Sequence, residues 1–344
     1  MRDTKMKVAV IGGGWSNERD VSLKTGEQIF GNLSDKKYEK SFVEISQDGR
    51  WLLHKNYPQL DSADLSNTLT IMNSEKGISK NDLQQFDVLF LALHGKYGED
   101  GKIQSILDIL NITYTGSGVL PSALGMNKAK TIEFVENLCI KVPKCFLLYN
   151  NKYDVESLKS RVDDKINYPC IVKPNESGSS IGISKVEEFD ELETAVNAAF
   201  NEDNTVMVEE FIDGKEITCG VLGNANQTEL QALPPVEIIA ENTFFDYDAK
   251  YFSEKTQEIC PAEISEEQTL RVQNYSKKIH ETFGCDGVTR SDFILKDNEY
   301  YFLEINTLPG MTEASLCPKE ASAAGMKFGE FLDKIVNLAI RKNE

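Results

Sequence analysis

The sequence lacks most of the usual signatures of nucleotide and metal chemistry. It has no G-x-x-x-x-G-K-[ST] run, which excludes a P-loop. The turn GGGWSN invites a dinucleotide reading, but counted from Gly12 the pattern G-x-G-x-x-G needs a sixth glycine, and that position is Asn17. Histidine is scarce: His54, His94 and His280 are the only three, and the absence of H-E-x-x-H argues against a zinc enzyme. The seven cysteines (139, 145, 170, 219, 260, 285 and 317) are scattered and odd in number and form no C-x-x-C. There is also no signal-like start and no long apolar span, so the chain reads as reduced, cytoplasmic and without a membrane segment. Basic residues are in deficit, with 37 Lys and Arg against 55 Asp and Glu, a net charge of −18. That balance argues against general binding to nucleic acid or an anionic membrane, while leaving room for a few local lysines to dominate a cleft.

What is present is ordinary for a globular protein: 40% hydrophobic and 27% charged residues over 344 positions, enough for two or three domains. KVAVIGGG reads as a strand, ERDVSLKTGEQIFGNL as a helix with Val21, Thr25, Ile29 and Leu33 on one face, then SFVEIS as a strand. A polar stretch runs to about Asn81 before the buried strand FDVLFLAL. Such alternation predicts a parallel α/β sheet. After Gly118 come a helical run, the strand YPCIVKP, a Gly/Ser loop, a helix near 187–200 and the strand TVMVEEF. From Lys215 the pattern is mostly strand, with a helix near 265–283, a hairpin over 287–306 and a closing amphipathic helix. The fold class is α/β, in part α+β, in three units: 1–117, 118–210 and 211–344.

Several stretches carry chemistry. The turn after KVAVIGGG lies where open α/β sheets bind ligands, with Glu18 and Arg19 next to it. LHGKYGEDGK places His94 and three glycines before a helix beginning near Lys102, a setting that suits an anion; a satisfied structural histidine is the alternative for His94. In VKPNESGSSIG, Lys173 ends a strand before a small-residue loop able to fold over phosphates, and this reading is favoured over a surface hairpin. VMVEEFIDGKEI ends an apolar strand with Glu209 and Glu210, followed by Phe211, Ile212 and Glu216; it fits an adenine slot and a ribose-binding carboxylate, or a plain connector.

GVTRSDFIL and EYYFLEIN flank the turn signal Lys296-Asp297-Asn298. Strand alternation predicts that Arg290, Asp292 and Ile294 share one face, and that Phe302, Glu304 and Asn306 share one face of the partner. With an odd-numbered loop, Asp292 lies opposite Glu304 and Arg290 opposite Asn306. Opposed carboxylates repel, and a hard cation between them resolves the repulsion. Asp, Glu and Asn oxygens are the set expected for Mg²⁺ carrying nucleotide phosphates. A salt-bridged hairpin built on Arg290 is the alternative.

Taken in order, GGGWSNERDVSL, LHGKYGEDG, YTGSG, MNKAKT, VKPNESGSSIG, EEFIDGKE, FFDYDAKY, CPA, RSDF and EINTLPGMTEASLCP resemble the D-alanine–D-alanine ligases of the ATP-grasp superfamily over nearly the whole chain. The resemblance implies a three-domain ATP-grasp architecture, with ATP held between the central and C-terminal domains. It implies joining of two D-alanines through an acyl phosphate for peptidoglycan precursors. Lys128 and Lys173 would hold ATP phosphates beneath Ser179-Ser180; Glu209 and the Glu210–Ile212 backbone, Phe211 included, would meet adenine, with Glu216 on the ribose. Asp292, Glu304 and Asn306 would hold two Mg²⁺ ions, with Mn²⁺ an alternative. Lys250 would reach the γ-phosphate and Arg290 would stabilise the tetrahedral intermediate. Glu18 would bind the first substrate's ammonium in a network with Ser179 and Tyr251, while His94, Gly310 and Ser315 would lie beside the substrates. The resemblance also implies a homodimer. The chain departs from the family's usual pattern at Ser177, Thr289 and Trp15, which bears on nucleotide affinity, arginine positioning and first-substrate size. Rival readings are a D-alanine–D-serine or D-alanine–D-lactate ligase of the same fold and a non-catalytic ATP sensor; retention of Arg290 and all three metal ligands speaks against the sensor.

Overall fold

The computed structural model of the chain describes residues 5–57, 68–72, 80–149, 153–178, 181–225, 227, 229–239 and 256–342. Ser179, Ser180, Lys250 and Tyr251 lie outside these.

The first sheet contains β1 (Met6–Gly13), β2 (Tyr38–Ile45), β3 (Trp51–His54), β4 (Thr68–Met72) and β5 (Val88–Leu91), in the order β4-β3-β2-β1-β5. Its centre is parallel, as the strand–helix alternation predicts, with α1 (Arg19–Asn32) crossing from β1 to β2. The polar stretch before Asn81 differs from its sequence reading, because it contains β3 and β4, which extend the sheet antiparallel from β2. Trp51 anchors that extension in the core. A sheet edge can recruit a strand with little periodicity of its own when one large residue is buried there. The short α2 (Lys80–Leu83) leads into β5, and α3 (Lys102–Leu110) follows it.

The helical run after Gly118 divides into α4 (Val119–Met126) and α5 (Lys128–Glu136), because Asn127 turns extended and accepts the Lys130 N–H as the α5 N-cap. The four-stranded second sheet contains β6 (Cys145–Tyr149), β7 (Cys170–Pro174), β8 (Ser184–Val186) and β9 (Thr205–Glu210), in the order β6-β9-β7-β8. With α6 (Val155–Lys165) and α7 (Phe189–Phe200) it encloses one apolar core.

The third sheet is antiparallel. It contains β10 (Lys215–Leu222), β11 (Gln231–Ala232), β12 (Val236–Ile239), β13 (Gln257–Ile259), β14 (Val288–Lys296) and β15 (Glu299–Asn306). One face packs on α8 (Glu266–Phe283), which a complete capping box at Ser265 and Gln268 begins and Gly284, at φ 71°, ends. Helices α4 and α5 also pack against β15, so Leu124, Phe134, Val135 and Leu138 join this third core. The last helices are α9 (Leu316–Ala323) and α10 (Phe328–Arg341). Through Phe331, Leu332, Ile335 and Val336, α10 shares a core with the first sheet and ties the chain's two ends together. Among the described residues no helix is long and apolar enough to cross a membrane.

Candidate active site

The face of the third sheet that carries Arg290, Asp292, Glu304 and Asn306 depends on a bulge. Lys296 pairs with Glu299, so the β14–β15 loop is the two residues Asp297 and Asn298, both at positive φ (49° and 63°) as a tight hairpin requires. An even loop alone would place Asp292 opposite Leu303. Instead the register shifts between Asp292 and Phe293, leaving Leu303 as the extra residue, and Asp292 then faces Glu304 and Arg290 faces Asn306. The expected pairing is present, but an extra strand residue sets it rather than an odd loop. The bulge also corrects the facing of Phe302, which pairs with Phe293 in the core and lies on the opposite face from Glu304 and Asn306.

On the open face, β10 continues the same rows: Thr218 is opposite Asp292, Gly220 opposite Arg290 and Glu216 opposite Ile294. Arg290 grips Asp292 bidentately, Nε to Oδ1 and Nη2 to Oδ2, both 2.8 Å, and the Thr218 hydroxyl donates to Asp292 Oδ1 at 2.5 Å. Asn306 Oδ1 accepts the Leu308 N–H. Thr289, one of the departures from the family pattern, points the other way. Its hydroxyl meets Nδ1 of the buried His280 at 2.7 Å, while His280 Nε2 lies 3.2 Å from the Gly223 carbonyl. A carbonyl only accepts, so Nε2 carries the proton and the threonine donates to Nδ1. The departure thus anchors the strand beside Arg290 without intruding on the site.

The first sheet supplies Glu18. Gly13 and Gly14, at φ 90° and 103°, turn the chain so tightly that a β-carbon on Gly13 would fall 2.4 Å from the Ile45 carbonyl. The Ser16 hydroxyl donates to the His94 carbonyl, bringing this turn against the one after β5. Glu18 is buried at the start of α1, and its side chain makes no capping hydrogen bond there. Its carboxylate lies between two glycines from different units: a β-carbon built on Gly95 would fall 2.2 Å from Oε2, and one on Gly178 2.9 Å. His94 is buried too, with Nε2 2.9 Å from the Thr25 hydroxyl and Nδ1 3.6 Å from Glu99 Oε1. A β-carbon on Gly310 would sit 3.1 Å from Ser315 Oγ and 3.9 Å from the His94 ring, so these three residues meet at one corner. Trp15, 44% exposed, packs edge-on against Tyr97, both lining a small cavity with His94.

The second sheet closes the site. Lys128 is buried; its ammonium donates to the Ser177 carbonyl at 2.7 Å and lies 3.4 Å from Glu304 Oε2. It therefore joins the Gly/Ser loop to the open face of the third sheet. Lys173 and Glu209 form a buried pair at 2.7 Å, and among the described residues Glu209 Oε2 has no hydrogen-bond partner. The Glu210 N–H is taken by the Lys144 carbonyl, Ile212 is buried, and Lys185 lies 4.3 Å above the Phe211 ring. Sequence reasoning missed Lys185, Thr218 and Thr25. Thr218 had a signal, since it stands two residues from Glu216 on one strand face; the other two had none.

Among the described residues no group of three His, Cys, Asp or Glu side chains is arranged to hold a metal alone. Asp292, Glu304 and Asn306 offer only oxygens on one cleft-facing surface. This set suits Mg²⁺ whose remaining ligands come from phosphates and water.

The family model described as D-ala D-ala ligase N-terminus matches residues 7–117, and that of the C-terminus matches 134–337. The chain belongs to the D-alanine–D-alanine ligase family. The D-alanine--D-alanine ligase of Halalkalibacterium halodurans is 38% identical over 339 residues, covering 98% of this chain and 100% of the relative. Among solved structures, the VanG D-Ala:D-Ser ligase from Enterococcus faecalis superposes with a TM-score of 0.85 at 32% identity, covering 98% of this chain and 100% of that one. The D-alanine--D-alanine ligase from Bacillus anthracis complexed with ATP gives 0.75 at 32%, covering 98% and 99%. This member of the ligase family thus has the ATP-grasp fold that its motifs imply.

Proposed function

We propose that the chain joins two D-alanines to D-alanyl-D-alanine at the cost of ATP, in the cytoplasm, as a homodimer supplying peptidoglycan precursors. The observation carrying this reading is Lys128, whose ammonium spans the Ser177 carbonyl and Glu304. A phosphate chain held there lies beneath the Gly/Ser loop and above the oxygen ligands. The three units 1–117, 118–210 and 211–344 are the domains of this reading, with ATP between the last two. Nucleic acid and membrane are not partners.

Glu209 Oε2, a buried acceptor with no partner among the described residues, suits the adenine amino group, and Glu216 suits the ribose. Lys128 and Lys173 neutralise the phosphates, with Ser180 and Lys250 completing their cover. Asp292, Glu304 and Asn306 hold two Mg²⁺ ions, replaceable by Mn²⁺, which supply charge neutralisation at the phosphates. Glu18 receives the ammonium of the first D-alanine, and Ser179 and Tyr251 extend its network. The first carboxylate then attacks the γ-phosphorus, so an O–P bond forms and ADP leaves. The amine of the second D-alanine attacks the acyl carbon, a C–N bond forms, the C–O bond to phosphate breaks, and the amine's proton leaves with the departing phosphate. Arg290 stabilises the oxyanion between these events, and His94, which is buried, excludes water from the acyl phosphate together with the neighbouring Gly310. Ser315 meets the second carboxylate: its hydroxyl bonds Thr312 rather than capping α9, leaving the Leu316 and Cys317 N–H groups at the start of that helix for an anion.

The test is ADP release with Mg·ATP and D-alanine, the product identified by mass, with D-serine and D-lactate in parallel. D-alanyl-D-alanine as the main product supports the proposal; tight ATP binding without ADP release from any substrate overturns it. The likeness to a D-Ala:D-Ser ligase makes D-serine the informative competitor.

A further inference from the structure

One buried carboxyl is unused by the chemistry above. Glu320 lies on α9 with no exposed surface, and it forms no ion pair among the described residues, Arg290 being gripped by Asp292. Its Oε1 accepts the Gly220 N–H at 3.0 Å, across 100 residues of sequence, and its Oε2, with the buried Cys317 thiol beside the carboxyl, has no other hydrogen-bond partner among the described residues. The place it occupies is built for it. On its outer side β10 pairs with β12 through Thr218 and with β11 from Val221 onward, and the carboxyl fills the gap between the two pairings. A β-carbon on Gly220 would fall 2.3 Å from Glu320 Oε2, so only glycine leaves room. Gly220 stands directly opposite Arg290, and opposed residues project on the same side of the sheet. Glu320 thus stands where the side chain of residue 220 would be, next to Arg290. Burial raises its carboxyl to about 8, so at neutral pH it is mostly the uncharged acid.

Five residues earlier, the same helix begins at Ser315, roughly 7.5 Å along the axis. We propose that Glu320 is a positioning residue that clamps α9 to β10, setting the distance between Ser315, which receives the second substrate's carboxylate, and Arg290, which stabilises the intermediate formed from that substrate. The inference rests on the ligase reading and on the role given there to Ser315. The clamp acts on the second D-alanine and its attack. It touches neither the Lys128 and Lys173 phosphate site nor Glu18.

The experiment measures steady-state kinetics for the first and second D-alanine separately, and ATP affinity by calorimetry, in wild type, Glu320→Ala and Glu320→Gln. The neutral glutamine keeps the acceptor and the shape of the uncharged acid. The expected result is a loss of about tenfold or more in kcat/KM for the second D-alanine in Glu320→Ala, ATP affinity within about twofold, and recovery to near wild type in Glu320→Gln. A parallel fall in ATP affinity and in both substrate constants, or a glutamine variant no better than alanine, overturns the clamp. If Glu320→Ala does not fold, Glu320→Leu, which keeps the volume and loses the acceptor, takes its place with the same two readings. Absence of ADP release in wild type would be a failure of the ligase reading itself and shows separately from any effect at position 320.

Discussion

Acidification should loosen the strand that carries Arg290, and His280 sets by how much. Burial pulls this imidazole from 6.5 down to about 4. Because the folded-state value is depressed, the unfolded chain takes up a proton below 6.5 that the folded chain refuses. Stability associated with His280 is therefore fully present above 6.5 and is lost as pH falls from 6.5 toward 4. Between about pH 7 and about pH 5 the loss is about 2 kcal/mol, from proton linkage at this one site. The structural cause is specific: Nε2 already donates to Gly223, and a second ring proton would leave Nδ1 and the Thr289 hydroxyl both as donors until the hydroxyl turns. The assay is urea unfolding at the two pH values for wild type and His280→Gln, followed by a probe in the third sheet. Every other titrating group is common to both proteins, so the variant should be less stable at about pH 7 yet lose about 2 kcal/mol less on acidification. Equal pH dependence in the two would refute the reasoning.

Three further predictions follow from the site. On the proposed reading, in which Arg290 stabilises the intermediate while Lys128 and Lys173 hold the phosphates, Arg290→Ala should abolish turnover while sparing ATP binding; near-normal turnover would overturn the assignment. Gly95→Ala places a methyl in a left-handed backbone at φ 68°, costing about 1–2 kcal/mol. It also drives that methyl into Glu18, so the KM for the first D-alanine should rise about tenfold or more with ATP affinity little changed; an unchanged KM would remove Glu18 from the first subsite. Deleting Leu303 takes out only the extra residue and keeps Asp292 opposite Glu304, so turnover should stay within about tenfold of wild type. Inserting an alanine after Leu303 lets plain alternation run on from Phe302, so Leu303 faces Asp292 and Glu304 moves two positions along to face Arg290, which should abolish turnover. Equal loss in both variants would show that the register argument is wrong.

Much of the architecture is legible locally. Apolar alternation, Ser265 with Gln268 and Gly284, and the turn-forming Asp297-Asn298 mark strands, caps and a hairpin because each depends on a few neighbouring residues. The polar stretch containing β3 and β4 is not legible, since those strands take their stability from an edge that β2 presents.

The site shows the same division. Sequence by itself pointed to the candidate groups: Arg290, Asp292, Glu304 and Asn306 at two-residue spacing, lysines at strand and helix ends, and Glu18 after a glycine turn. Tertiary structure decided the geometry. Hairpin parity is a one-residue matter that no alternation pattern reports, and the bulge at Leu303 settled it through packing of Phe302 on Phe293. Likewise Glu18 between Gly95 and Gly178, and Glu320 over Gly220, are juxtapositions of segments tens to hundreds of residues apart. Short-range propensity carries no information about such meetings, because they exist only once separate cores have packed against one another.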